Sequence, residues 1–134
     1  GDNAGGVYRV DAKDGHLKSE VDVGATLFQG MEINQGKAYL GSWEGVLSAV
    51  DTASGKLLWR VDTGHGAILS KPLYRNGAIY SGSGTWVMKF DAATGKVLWE
   101  KNLGSFVRDT PLIKYGIIII RTHNLIYGLS ENPN

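Results

Sequence analysis

"DTASGKLLWR" at 51–60 and "DAATGKVLWE" at 91–100 are near copies of each other, forty positions apart, with a tryptophan at the same place in each. Asp11, Asp51 and Asp91 keep that spacing, as do Gly15, Gly55 and Gly95, and again Gly24, Gly64 and Gly104. Nine residues on one period amount to a rule of construction: the chain stacks copies of a single supersecondary unit. A looser set slips by one residue, namely Gly36, Gly77 and Gly116, then Tyr39 and Tyr80, then Gly41 and Gly82. Between these glycines lie short runs rich in valine, isoleucine, tyrosine and tryptophan, so each unit reads as four strands. In the second complete unit they span roughly 71–75, 78–83, 86–91 and 96–101. No segment sustains apolar recurrence at three and four residues, which leaves no place for a helix.

Four strands in about forty residues is the size of one propeller blade. The expected fold is therefore all-β, with blades of four antiparallel strands and about 3.3 blades in this chain. Residues 1–24 would form an outer half-blade, 25–64 and 65–104 whole blades, and 105–134 a blade without its outermost strand. Aligned on the repeat, Gly1 falls with Gly41, and Ser130 stands where the aspartate of the motif belongs. A ring needs at least four blades, so two ways of closing it are expected. Either the chain is the C-terminal part of a larger propeller, or copies associate by strand exchange, with inner strands of one completing outer strands of another.

The decapeptide has a physical logic. Asp51 and Asp91 end a strand and can accept hydrogen bonds from the amides just beyond, and Ser54 or Thr94 adds a second local acceptor. Gly55 and Gly95 supply the positive φ that such a reversal needs. Four residues on, Trp59 and Trp99 fall on the outermost strand, where an indole can bury its surface against the neighbouring blade and donate its N–H to a backbone carbonyl. The first unit, "DAKDGHLKSE", departs from this: Asp14 replaces the hydroxyl residue and Ser19 the tryptophan. That boundary is expected to be weaker or to dock differently.

Fourteen basic and thirteen acidic side chains give a net charge of +1, which provides no field to gather nucleic acid. The chain has no cysteine, excluding disulfides and thiolate chemistry. The apolar run "YGIIIIRT" at 115–122 is too short to span a bilayer, and no targeting signal is read in "GDNAGG".

The pattern Asp-x-x-(Ser/Thr)-Gly-Lys-x-x-Trp, in Asp51, Ser54, Gly55, Lys56, Trp59 and in Asp91, Thr94, Gly95, Lys96, Trp99, resembles the tryptophan-docking repeat of quinoprotein-like (PQQ-like) β-propellers. "KPLYRNGAIYSGSG" and "TPLIKYGIIIIRTHN" are similar to that family's inner strands. The resemblance specifies a fold and leaves the function open. It implies an extracytoplasmic location, in the bacterial periplasm or cell envelope. It also implies three roles: a non-catalytic protein-interaction scaffold, a fragment of a PQQ-dependent oxidoreductase, or a carbohydrate-binding or hydrolase-accessory propeller. The family's enzymes hold their quinone with calcium ligands, a vicinal cysteine disulfide and a catalytic aspartate. None of these maps onto this chain, so no cofactor, metal or catalysis is expected of it.

In a propeller the loops between blades share a face with those joining second and third strands, usually the face that binds. Here these are 24–30, 64–71 and 104–110, with 42–45, 83–86 and 122–124. They carry Trp43, Glu44, His65, Trp86, Arg108, Asp109 and His123, a mixed aromatic and charged set suited to a protein partner or, through Trp43 and Trp86, to a glycan. Two histidines on different blades make a poor metal site, and Asp109 beside Arg108 reads as a local ion pair.

Overall fold

The computed structural model describes residues 5–27 and 30–131, and within these the chain is all β. The strands are β1 (Gly6–Val10), β2 (Leu17–Asp22), β3 (Glu32–Asn34), β4 (Lys37–Gly41), β5 (Val46–Asp51), β6 (Leu57–Asp62), β7 (Leu73–Arg75), β8 (Ala78–Ser83), β9 (Trp86–Asp91), β10 (Val97–Asn102), β11 (Leu112–Lys114), β12 (Ile117–Arg121) and β13 (Ile126–Ser130). They form four antiparallel sheets by pairing with their sequence neighbours: β1–β2, β3–β6, β7–β10 and β11–β13. Two complete sheets thus stand between a two-stranded and a three-stranded one. The match of Gly1 with Gly41, and part of the 24–30 loop, lie outside the described residues.

The first hairpin of each of the last three sheets turns on two residues with positive φ: Gln35 and Gly36, Asn76 and Gly77, Tyr115 and Gly116. That geometry matches the right-handed twist of the strands it joins. At the sheet periphery, Asp51 Oδ1 accepts from the amides of Ala53 (2.9 Å) and Ser54 (2.8 Å), and Asp91 Oδ1 from those of Ala93 (2.8 Å) and Thr94 (3.2 Å). Gly55 and Gly95 follow with φ of 73° and 79°. In the first unit Asp14 takes the place of the hydroxyl, its Oδ1 accepting from the His16 amide at 2.8 Å.

The cores lie between sheets. Tyr39, Leu47 and Ala49 of the second sheet pack against Ile79, Met88 and Phe90 of the third, with Ile68 from the connection. Tyr80 and Val87 of the third pack against Ile118 and Ile120 of the fourth. Each of these boundaries carries an indole. Trp59 Nε1 donates to the Ala92 carbonyl at 3.0 Å, and Trp99 Nε1 to the Glu131 carbonyl at 3.2 Å. The two acceptor residues are held alike, their amides donating to the carbonyls of Gly77 and Gly116. The Trp59 ring lies on Gly95 so closely that a Cβ there would come within 2.6 Å of it.

The first boundary is built differently. Ser19 sits against Gly55 as Trp59 sits against Gly95. Its ladder partner is Arg9, just as Ala49 is the partner of Trp59. Large and small side chains have therefore exchanged strands, and Arg9 Nη1 donates to the Thr52 carbonyl at 2.8 Å and to that of Ala53. Thr52 occupies the place of Ala92 in the repeat. A cavity of about 200 Å³ remains beside this contact, walled by Val7, Val21, Met31, Ala38 and Val50.

Removing the half-buried indole in Trp59→Ala is expected to lower stability by about 3 kcal/mol. Trp59→Phe, which keeps most of the burial and loses the N–H, is expected to cost about 1 kcal/mol. Denaturant unfolding separates the two, and equal losses would place the stabilisation in the hydrogen bond alone. Arg9→Ala/Ser19→Trp copies the Ala49 and Trp59 pair and is expected to unfold at higher denaturant than Arg9→Ala. A midpoint no higher than that of the single variant would show that the indole cannot enter this boundary.

Candidate functional site

Two sets of loops are laced together on one face. The amides of Trp43, Gly84 and His123, in the turns between second and third strands, donate to the carbonyls of Thr26, Ala67 and Phe106 in the preceding connections, at 2.8–2.9 Å. The same bond thus recurs at three equivalent places. Gly41 and Gly82, at the ends of β4 and β8, let the next connection close in: a Cβ on either would lie 2.3 Å from Ile68 or Val107. The backbone of this face is fixed by the repeat, while its side chains are left to vary.

Trp43, Ala67, Leu69, Phe106, Arg108, Asp109 and Arg121 line a cleft of about 590 Å³. Three residues expected from the sequence, Trp43, Arg108 and Asp109, therefore meet, and Phe106 and Arg121 join them. Phe106 lies in the expected 104–110 loop, where a lone phenylalanine carries no sequence signal of exposure; here it is half exposed, as is Trp43. The ion pair expected between Arg108 and Asp109 is corrected. Arg121, twelve residues on, grips both carboxylate oxygens, with Nη2 donating to Oδ1 at 3.0 Å and Nε to Oδ2. Neighbours in an extended loop point apart, whereas Arg121 ends a strand that faces the loop. The guanidinium holds the Asp109 carboxyl below the usual carboxylate range. Arg108 is exposed at the cleft.

The other expected residues lie elsewhere. Trp86 packs against the core between the second and third sheets and stacks with His65, ring centroids 4.1 Å apart and planes 9° apart. His65 Nε2 hydrogen-bonds Glu100 Oε2 at 3.0 Å, a partner on β10 that sequence separation concealed. Glu44 Oε2 accepts from the Thr26 amide at 2.9 Å, and hydrogen bonding to Thr26 holds its carboxyl below the usual range. His123 is exposed on its turn.

Quinone and calcium chemistry does not fit this donor set. The chain has no cysteine, and among the described residues no three His, Cys, Asp or Glu side chains gather as metal ligands. Asp109 is held in a bidentate ion pair with Arg121 at one wall of the cleft. In Arg121→Ala the Asp109 carboxyl is expected to titrate at higher pH, back toward the ordinary carboxylate value. An NMR titration measures this, and an unchanged midpoint would refute Arg121 as the cause of the shift.

The profile of a family described as outer membrane protein assembly factor BamB matches residues 3–85 and 44–132. A quinohemoprotein alcohol dehydrogenase, ADH-IIG of Pseudomonas putida, is 30% identical over 117 residues, covering 70% of this chain and 16% of that protein. Among solved structures, BamB from Moraxella catarrhalis superposes with a TM-score of 0.81 at 20% identity, over 95% of this chain and 40% of that one. The computationally designed Ika4 protein also gives 0.81, at 18% identity, over 96% of this chain and 81% of that one. The chain thus spans well under half the length of the natural proteins it is compared with.

Proposed function

The chain belongs to the family described as outer membrane protein assembly factor BamB, and on that premise we propose that it is a non-catalytic arc of a PQQ-like propeller that serves as a protein-interaction scaffold. The observation that supports this is the cleft lined by half-exposed Trp43 and Phe106 together with Arg108. Aromatic and arginine side chains are the groups that anchor protein contacts, because they bury much area at little entropic cost and pair with polar atoms at the rim. The family description names an outer-membrane assembly factor, so the partner is sought in the cell envelope and the location is extracytoplasmic. No helix among the described residues is long and apolar enough to cross a membrane.

A second reading makes the chain part of a quinoprotein oxidoreductase, and the 30% identity to the Pseudomonas putida dehydrogenase favours it. On that reading the cofactor residues belong to other parts of the protein, since this stretch has neither the cysteines nor the clustered donors. A glycan site shared by Trp43 and Trp86 has less support, because Trp86 is stacked with His65 and is not a wall of the cleft.

Immobilised chain is expected to retain a specific protein from a bacterial envelope extract. Trp43→Ala and Arg108→Glu should each reduce that retention at least tenfold with no change in thermal unfolding. Retention that survives both substitutions would remove the cleft from the interaction. Quinone absorbance in the purified parent protein would favour the oxidoreductase.

A further inference from the structure

On the loop face the departures from the repeat gather at one place. Gly41 and Gly82 lie near the end of the second strand of their sheets, opposite Leu47 and Val87, and Arg121 holds that place in the fourth sheet, opposite Ile126. The amides of Trp43, Gly84 and His123 are equivalent donors, and of these residues only Trp43 carries a large apolar side chain. The equivalent acceptors are Thr26, Ala67 and Phe106, of which only Phe106 is aromatic. Trp43, Phe106 and Arg121 all line the cleft of about 590 Å³, together with Leu69 and Arg108. None of the three belongs to the cores between sheets. Trp43 and Phe106 are 54% and 52% exposed, and Arg121 is exposed as well.

The charges that line the cleft do not cancel. Arg121 is committed to both carboxylate oxygens of Asp109, which balances that pair. Arg108, exposed in the same cleft, pairs with no carboxylate among the described residues. One guanidinium is left over in a cleft whose other walls are an indole, a phenyl ring, Ala67 and Leu69. A charge between low-dielectric walls draws a counter-charge toward it, and apolar walls draw an apolar group.

We propose that the cleft takes a protein segment in which an apolar side chain, aromatic by preference, stands next to a carboxylate. Trp43 and Phe106 receive the apolar group, and the Arg108 guanidinium, a planar fork, receives the carboxylate through both its oxygens. Asp109 also lines the cleft, and its charge, if unpaired, would oppose the same carboxylate. Arg121 cancels that charge and is thus a positioning residue for the cleft, not a contact to the segment. Sites for small molecules enclose most of their ligand. Here Trp43 and Phe106 are half exposed, which leaves the cleft open to a stretch from within a chain. This inference rests on the scaffold reading and names the chemistry of its partner.

Acetylated and amidated tetrapeptides test it, with NMR of the chain at neutral pH reading the Trp43 indole N–H and the Arg108 amide. Gly-Phe-Glu-Gly is expected to shift both signals saturably at millimolar concentration. Gly-Phe-Gln-Gly and Gly-Ala-Glu-Gly should each bind roughly fivefold more weakly. Arg108→Gln should erase the preference for Glu over Gln, and Trp43→Ala the preference for Phe over Ala. Arg121→Gln is expected to weaken Gly-Phe-Glu-Gly roughly threefold, because Asp109 stays ionised at neutral pH without its partner. Asp109→Asn/Arg121→Gln should restore the parent affinity, and failure to do so would overturn the positioning role of Arg121. No saturable shift, or equal binding of the three peptides, would overturn the proposal. So would 3-phenylpropanoate binding as tightly as Gly-Phe-Glu-Gly, which would make this a small-molecule site, or inorganic phosphate displacing the peptide at equal concentration, which would make it an anion site. Peptide selectivity in a chain that retains no envelope protein would sink the scaffold reading and leave the cleft's chemistry standing, whereas retention without peptide selectivity would do the reverse.

Discussion

Burial between sheets, rather than within one, is the constraint on which this molecule depends. A four-stranded sheet with apolar side chains on both faces cannot bury either face alone, so each sheet is stable only as a neighbour of others. Tyr39, Leu47 and Ala49 have no apolar environment until Ile79, Met88 and Phe90 arrive from the next unit. The indoles reinforce this at the perimeter, where burial is shallowest. Trp59 and Trp99 add area on one side and one directed hydrogen bond each, and the receiving carbonyl sits in a residue whose own amide is already tied to the next hairpin. Area supplies most of the free energy, and the bond fixes where the sheets meet.

The first boundary shows that the receiving carbonyl matters more than the group that fills it. Ser19 cannot reach Thr52, yet Thr52 is still bonded, by Arg9 from the adjoining strand. Arginine keeps the directed bond and gives up the packing, because a guanidinium cannot fill apolar space as an indole does. The cavity beside Val7 and Val21 is what remains of the lost volume. A boundary of this kind depends more on polar contacts and less on area than the two that follow it.

The forty-residue spacing made the strands and their order legible, since strand pairing here joins only sequence neighbours and needs no long-range inference. The β9 range of Trp86–Asp91 agrees with the run read from alternation and turn residues. The site was less legible. Trp43, Arg108 and Asp109 stood out as unusual residues in loops, but nothing in a linear pattern says that Arg121 reaches Asp109 or that Glu100 meets His65. Both pairings run between a connecting loop and a strand of the sheet that loop leads into, so they depend on how the loop folds back over that sheet. Arg121 did carry a signal, because it breaks the run of Gly41 and Gly82, but that departure acquires meaning only once Ile68 and Val107 are seen pressing on the glycines.

That same contrast separates a repeated backbone from unrepeated side chains on the loop face. Trp43, Gly84 and His123 are equivalent by their amide bonds, as are Thr26, Ala67 and Phe106 by their carbonyls, yet no two side chains within either set are alike. At Gly84 the choice is imposed, because a Cβ would lie 2.0 Å from the His65 carbonyl at a φ of 57°. At Trp43 and Phe106 no such restriction applies, and the large side chains stand half exposed around Arg108. A scaffold that secures its backbone through identical bonds can change these side chains at little cost to stability, because the packing that holds the sheets lies elsewhere. The packing that folds the chain and the side chains of the cleft are thereby separated: the aspartates, glycines and indoles of the perimeter hold the stack, and on the proposed reading the residues around the cleft suit a partner.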